Sequence, residues 1–249
     1  MIKFGIDETW FELSYAKYSE PDVFAEGGLV GAFVQASARG SAAILGMAFV
    51  QNIYGDSGMA PLMIVSAVPF YNIFSVVILT FHSRDQIGLD KKAQIRRACI
   101  NVAKNPIILG ILAGLLFNVL HLTMPTIPMK AIAYMSNTAT PLALLNVGAS
   151  FHLSDAIRKF RPAMVASTIK LVILPAVFFP AALYLGFRQS ELVAILIMLG
   201  SPTTISSYIM AKNMGNDEVL TSNAIVLSTM FSSVTMTGWI YLLRSLGLI

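Results

Sequence analysis

The 249-residue sequence is 56% hydrophobic and 12% charged, where an ordinary soluble domain carries about 25% charged residues. Its mean hydropathy is +0.71. That much apolar surface cannot hide in one water-soluble core, so the solvent is lipid. The net charge of +4, from 17 Lys+Arg and 13 Asp+Glu, does not call for nucleic acid, because the bases lie in short clusters between apolar runs. The single cysteine, Cys99, excludes a disulfide framework or a cysteine-based metal site within the chain. No cofactor is expected.

Taken in chain order, residues 1–38 read as a polar or amphipathic N-terminal segment. Asp7, Glu8, Glu12, Glu20, Asp22 and Glu26 make its start too acidic for a cleavable signal. Residues 41–55 are apolar but short, and would span only with help from neighbours or as a broken helix. Six longer runs follow, at 59–81, 105–129, 131–154, 162–187, 192–211 and 219–243. Each is long enough for a spanning helix, which needs about 20 apolar residues. None alternates as a membrane β-strand would. The fold class is therefore an all-α integral membrane protein with about seven transmembrane helices.

Placing the loops alternately on two sides puts 11 of the 17 Lys and Arg on one side and three on the other. The richer side, including Arg39, the connector at 82–104 and Arg158, Lys159 and Arg161, is then cytoplasmic, and the C-terminus faces outside a multi-pass plasma-membrane protein. The connector is a solvated loop or an amphipathic helix touching anionic lipid head groups.

Interrupted helices are where transporters hold solutes, because unwound backbone exposes N–H and C=O groups. The strongest candidate runs from Gly200 through Ser201, Pro202, Thr203 and Thr204 to Ser206 and Ser207. Pro202 removes a donor and disfavours helix at Ser201. The alternative is a proline kink whose hydroxyls bond back to the helix. A second candidate is Arg39-Gly40-Ser41, continuing to Leu45-Gly46-Met47. A third holds Asn137, Pro141 and Asn146 inside the 131–154 run, with close helix packing as its alternative. Lys170 lies about 12 Å into its span, too deep to snorkel. An ionisable group there attracts an anion, relays protons, or pairs with a carbonyl.

Arg39-Gly40-Ser41, Asn105-Pro106-Ile107-Ile108-Leu109-Gly110, Pro141-Leu142-Ala143-Leu144 with Gly148-Ala149-Ser150, and Ser201-Pro202-Thr203 through Ser207-Tyr208 with Ala211-Lys212 resemble the auxin efflux carrier family in its bacterial branch. The resemblance covers roughly residue 27 to the end. It implies a ten-helix transporter fold of two inverted five-helix repeats, whose fourth and ninth helices are broken and cross. Residues 41–55 would match the fourth helix and 192–211 the ninth, with Pro202 as the crossing proline. Ser41 stands where the family has Asn, and Met47 where it has Pro. The implied division is 1–38, then 39–81 as the end of the first repeat, the connector 82–104, and 105–249 as the second repeat. Three helices of the ten are not found, so the chain is expected to be a fragment, a mispredicted start or a degenerate copy.

The resemblance implies a secondary transporter of small organic anions such as dicarboxylates. The substrate-lining residues would be Ser41, Asn137, Pro141, Asn146, Lys170, Ser201, Pro202, Thr203, Thr204 and Ser206. Proton or sodium coupling stays open, although no carboxylate sits in a span, and a homodimer is compatible. No phosphate-binding Gly-rich loop suggests ATP drive. The competing readings are a non-transporting membrane protein and, more remotely, a membrane-embedded enzyme, for which no His-Glu-x-x-His or paired carboxylates are seen.

Overall fold

The computed structural model describes residues 28–42, 47–54, 59–84, 90–122, 124–149 and 153–249. The acidic N-terminal residues, Leu45-Gly46 and Ser150 lie outside the described residues. Among the described residues the architecture is all-α, with one isolated β-bridge and no sheet. Ala60–Phe81, Phe160–Tyr184 and Glu218–Ser245 are each long and apolar enough to cross a membrane alone, and a fourth crossing is available from a pair of helices bent by 50°.

The first helix, α1 (Leu29–Ala38), begins inside the segment read as polar. It is apolar and buries Leu29, Ala32 and Ala36. The helix stops at Ala38 and α2 (Met47–Tyr54) follows, so the described helix within the short 41–55 stretch is the second part of an interrupted element. Arg39, placed with the loops by sequence, sits in that break and is 7% exposed. Its flanking runs are both uncharged, and together they make the arginine an interior one.

α3 (Ala60–Phe81) matches the 59–81 run. The connector contains α4 (Lys91–Lys104), which meets α5 (Pro106–Val119) at the 50° bend. Asn105 sets that corner: its side chain accepts from the Ile107 and Ile108 N–H groups, and Pro106 follows at the first helical position. The run expected to be continuous over 105–129 stops at Val119. His121 adopts a left-handed φ of 49°, and α6 starts at Thr126 just after Pro125, running to Ala149.

α7 (Leu153–Arg158) leads into a long element made of α8 (Phe160–Thr168), a π-helical turn (Ile169–Ile173) and α9 (Leu174–Tyr184). The turn is closed by Leu174 N–H donating to the Ile169 carbonyl. Pro175 brings no N–H for the Leu171 carbonyl, and Trp239 Nε1 donates to it instead at 3.0 Å. The second broken helix is α10 (Gln189–Gly200) and α11 (Ile205–Asn213), and α12 (Glu218–Ser245) closes the chain.

Burial is inverted relative to a soluble protein. Leu112, Leu116, Tyr134, Leu145 and Tyr184 point outward, while Gln35, Asn72, Lys170, Thr221 and Ser228 are enclosed. Lipid tolerates the first set and forbids the second. Small residues seat α1 against α8 and α12: Ala32, Ala36, Ala163, Ala166 and Ala224 share one buried cluster with Leu29 and Leu220. A second cluster joins Val50 of α2 to Leu192, Val193 and Leu196 of α10 and to Met236 of α12.

Candidate functional site

The two broken helices enter from opposite ends. At one end the Asp217 N–H donates to the Gly28 carbonyl at 3.2 Å, just before α1. At the other the Gln189 N–H donates to the Leu248 carbonyl at 3.0 Å, at the start of α10. The helices meet at their breaks. Gly40 and Thr203 form an antiparallel bridge, and the Ser41 N–H donates to the Pro202 carbonyl at 2.8 Å. Each broken element is followed by one unbroken span, α3 or α12.

Two helix C-termini therefore face one another in a buried space. Each carries roughly half a negative charge from its unpaired carbonyls. Lys170 answers both: its Nζ donates to the Ala38 carbonyl at 2.9 Å and to the Met198 carbonyl at 3.1 Å. It is 0% exposed. Lys170 lies in the π-helical turn, and Pro175 follows that turn at the start of α9.

Close approach fixes Gly40. A Cβ there would collide with Ser201 Oγ and lie 2.9 Å from Lys170 Nζ, so any other residue displaces those side chains. Thr203 is used twice within the crossing: its Oγ1 donates to the Ala36 carbonyl at 2.9 Å, and its N–H to Ser228 Oγ at 3.0 Å. Ser201 is buried with no partner for its hydroxyl, and Ser207 is in the same position.

The sequence-chosen residues thus divide. Ser41, Lys170, Ser201, Pro202, Thr203, Thr204 and Ser206 come together at the crossing. Of these, Ser41, Thr204 and Ser206 are half-buried, whereas Ser201, Pro202, Thr203 and Lys170 are enclosed. The Thr204 and Ser206 hydroxyls lie 3.2 Å apart at the start of α11, where no side chain caps the helix. Asn137, Pro141 and Asn146 sit on α6 and are exposed. Their helix packs on α11 with its one buried residue, Val147, against Tyr208. Pro141 lies inside a continuous helix rather than at a break.

Sequence reasoning named Arg39 in the second candidate but missed the side chains that gather around it. Its Nη2 donates to Asn72 Oδ1 at 2.7 Å and its Nη1 to Met210 Sδ. Asn72 in turn donates to the Val68 carbonyl at 2.8 Å, and Gln35 Nε2 approaches Met210 Sδ at 3.8 Å. Among the described residues no carboxylate pairs with Arg39. The available signal was the uncharged run preceding Arg39, which extends the apolar stretch on its other side.

The loops at one end converge on a cavity of about 490 Å³ lined by Arg84, Asp155, Arg158, Lys159, Lys212 and Asp217, among others. Lys159 pairs with Asp217 at 3.2 Å, both buried, and Lys212 with Glu218 at 3.3 Å at the surface. Among the described residues no group of His, Cys, Asp and Glu could hold a metal ion.

Comparison with known proteins gives a consistent set. A family model described as membrane transport protein matches residues 29–240. An uncharacterized transporter of Methanocaldococcus jannaschii is 23% identical over 220 residues, 86% of this chain and 69% of that protein. A Rhizobium meliloti protein bearing the name malonate transporter is 29% identical over 147 residues, 58% of this chain and 45% of its own length. Auxin efflux carrier component 5 of Arabidopsis thaliana is 25% identical over 196 residues, 76% of this chain and 50% of the plant protein. The chain thus spans between 45% and 69% of the length of these three relatives.

Proposed function

Because this chain belongs to the membrane transport protein family, we propose that it carries small organic anions across the plasma membrane by alternating access around the crossing. The family is one of membrane transporters, not enzymes. The observation that carries the reading is the meeting of two broken helices, with half-buried Ser41, Thr204 and Ser206 beside buried Lys170. Helix ends and unwound backbone offer a solute polar groups that lipid does not. The enclosed cations Arg39 and Lys170 favour negative charge. A relative named for malonate, a dicarboxylate, supports that substrate class.

In this reading the end bearing Arg84, Arg158, Lys159 and Lys212 is cytoplasmic, and the C-terminus is outside. With Arg39 moved into the interior, ten bases against three still favour that orientation. Coupling to a proton or sodium ion is the drive to test, and a homodimer the assembly.

Uptake of labelled malonate, succinate and neutral solutes into vesicles bearing the purified chain tests this. Accumulation of the dicarboxylates over protein-free vesicles is expected. Correct insertion with no accumulation of any anion would leave the non-transporting alternative.

A further inference from the structure

Beside the crossing lies a second cavity, of about 620 Å³, between α3, α4, α5 and α11. Arg97, Asn101 and Lys104 of α4 line it, with Met210 and Asn213 of α11. No Asp or Glu among the described residues does so. Its polar wall is made of cations, amides and the hydroxyls of Thr80 and Ser83, groups that suit an anion's charged end, and Pro106, Ile107, Ile209 and Met214 make the rest apolar.

Met210, a residue of the chamber's wall, also receives Arg39 Nη1 on its thioether, with Gln35 Nε2 at 3.8 Å. Arg39 is 7% exposed and has no carboxylate partner among the described residues. Buried charges are ordinarily paired. The acceptors of Arg39 are the neutral Asn72 Oδ1 at 2.7 Å and the Met210 thioether, a weak acceptor, and together they do not supply the two parallel charged bonds a carboxylate offers a guanidinium. Methionine has three rotatable bonds and moves at low cost.

We infer that this chamber is a carboxylate-binding vestibule in which Arg97 and Lys104 draw in an organic anion and Arg39 binds its carboxylate once Met210 turns aside. For its ligand the inference rests on the organic-anion reading above. Lys170 plays a different part, held by two carbonyls at the crossing. Arg39 is the specificity-determining cation, and Met210 the shutter between it and the chamber.

The test places a thiol at the shutter. In the full chain with Cys99→Ser, Met210→Cys should react faster with an anionic than with a cationic methanethiosulfonate. Succinate should slow that reaction roughly tenfold, and neutral succinamide should not. Arg39→Gln should keep the labelling and lose the succinate protection, while Arg39→Lys keeps part of it. If Arg39→Gln fails to elute as a single species, Lys104→Gln on the exposed wall should weaken protection about threefold. An unreactive Met210→Cys, equal rates with both reagents, or equal protection by succinamide would overturn the inference. Protection is read in detergent, without transport. Protection without vesicle uptake keeps this site and removes the carrier reading; anion uptake without protection does the reverse.

Discussion

Gly40 and Thr203 pair as an isolated antiparallel bridge at the point where two interrupted helices cross. The Thr203 side chain extends the contact by donating to the Ala36 carbonyl, one turn back along the first helix. Helix-end carbonyls that would otherwise be left open take donors from the Thr203 hydroxyl and from Lys170 Nζ instead, which the membrane interior requires.

Lys170 completes that arrangement. Lys170→Met should remove two charge-assisted bonds and strand the Ala38 and Met198 carbonyls. Thermal unfolding in detergent should show a loss of about 3 kcal/mol, with Lys170→Arg intermediate. An unchanged transition would mean that the crossing is held by other contacts.

Gly40→Ala places a methyl group on Ser201 Oγ and Lys170 Nζ. Overpacking of this kind costs about 1–3 kcal/mol. Because the strain falls on the crossing itself, uptake should fall further than stability. Gly238→Ala is the control, since an added Cβ there meets nothing within 4 Å.

How much of this was legible in sequence depends on range. Gly200 and Pro202 announced a break because a missing N–H and a missing Cβ are local facts. Pro69, Pro141 and Pro180 carry the same missing donor yet lie inside helices, so proline alone does not specify a break. What distinguishes Pro202 is the chain from residues 40–41 that takes up its carbonyl, and that is tertiary. Lys170 was legible as an interior cation, but its two acceptor carbonyls come from residues 132 and 28 positions away. Arg39 was taken for a loop residue because α1 had been read as part of a polar segment. The polar groups Asn137 and Asn146 suggested a pocket by composition, but α6 leaves both on its exposed surface.

The Lys159–Asp217 pair fastens the start of α8 to the start of α12. Removing one partner leaves the other charge buried, so Lys159→Ala should destabilise the chain by about 3–5 kcal/mol. The exchanged pair Lys159→Asp with Asp217→Lys should recover part of the loss. Lys212→Ala, whose pair with Glu218 is half open to solvent, should cost less than about 1 kcal/mol. Unfolding midpoints of the four proteins separate these outcomes.

Pro202→Ala should let helix propagate through the break and draw Thr203 out of its bonds. Thr204→Val should remove a half-buried hydroxyl at the start of α11 without disturbing the fold. Both variants should insert normally, with uptake reduced about fivefold for Thr204→Val, the worth of one hydrogen bond, and more for Pro202→Ala.

The most direct measurement is uptake of radiolabelled dicarboxylates by vesicles holding the wild-type chain, Thr204→Val or Pro202→Ala at equal inserted amounts. The account predicts accumulation by wild type that exceeds empty vesicles and falls in both variants. Equal accumulation by all three proteins would contradict it, because solute would then be passing somewhere other than the crossing.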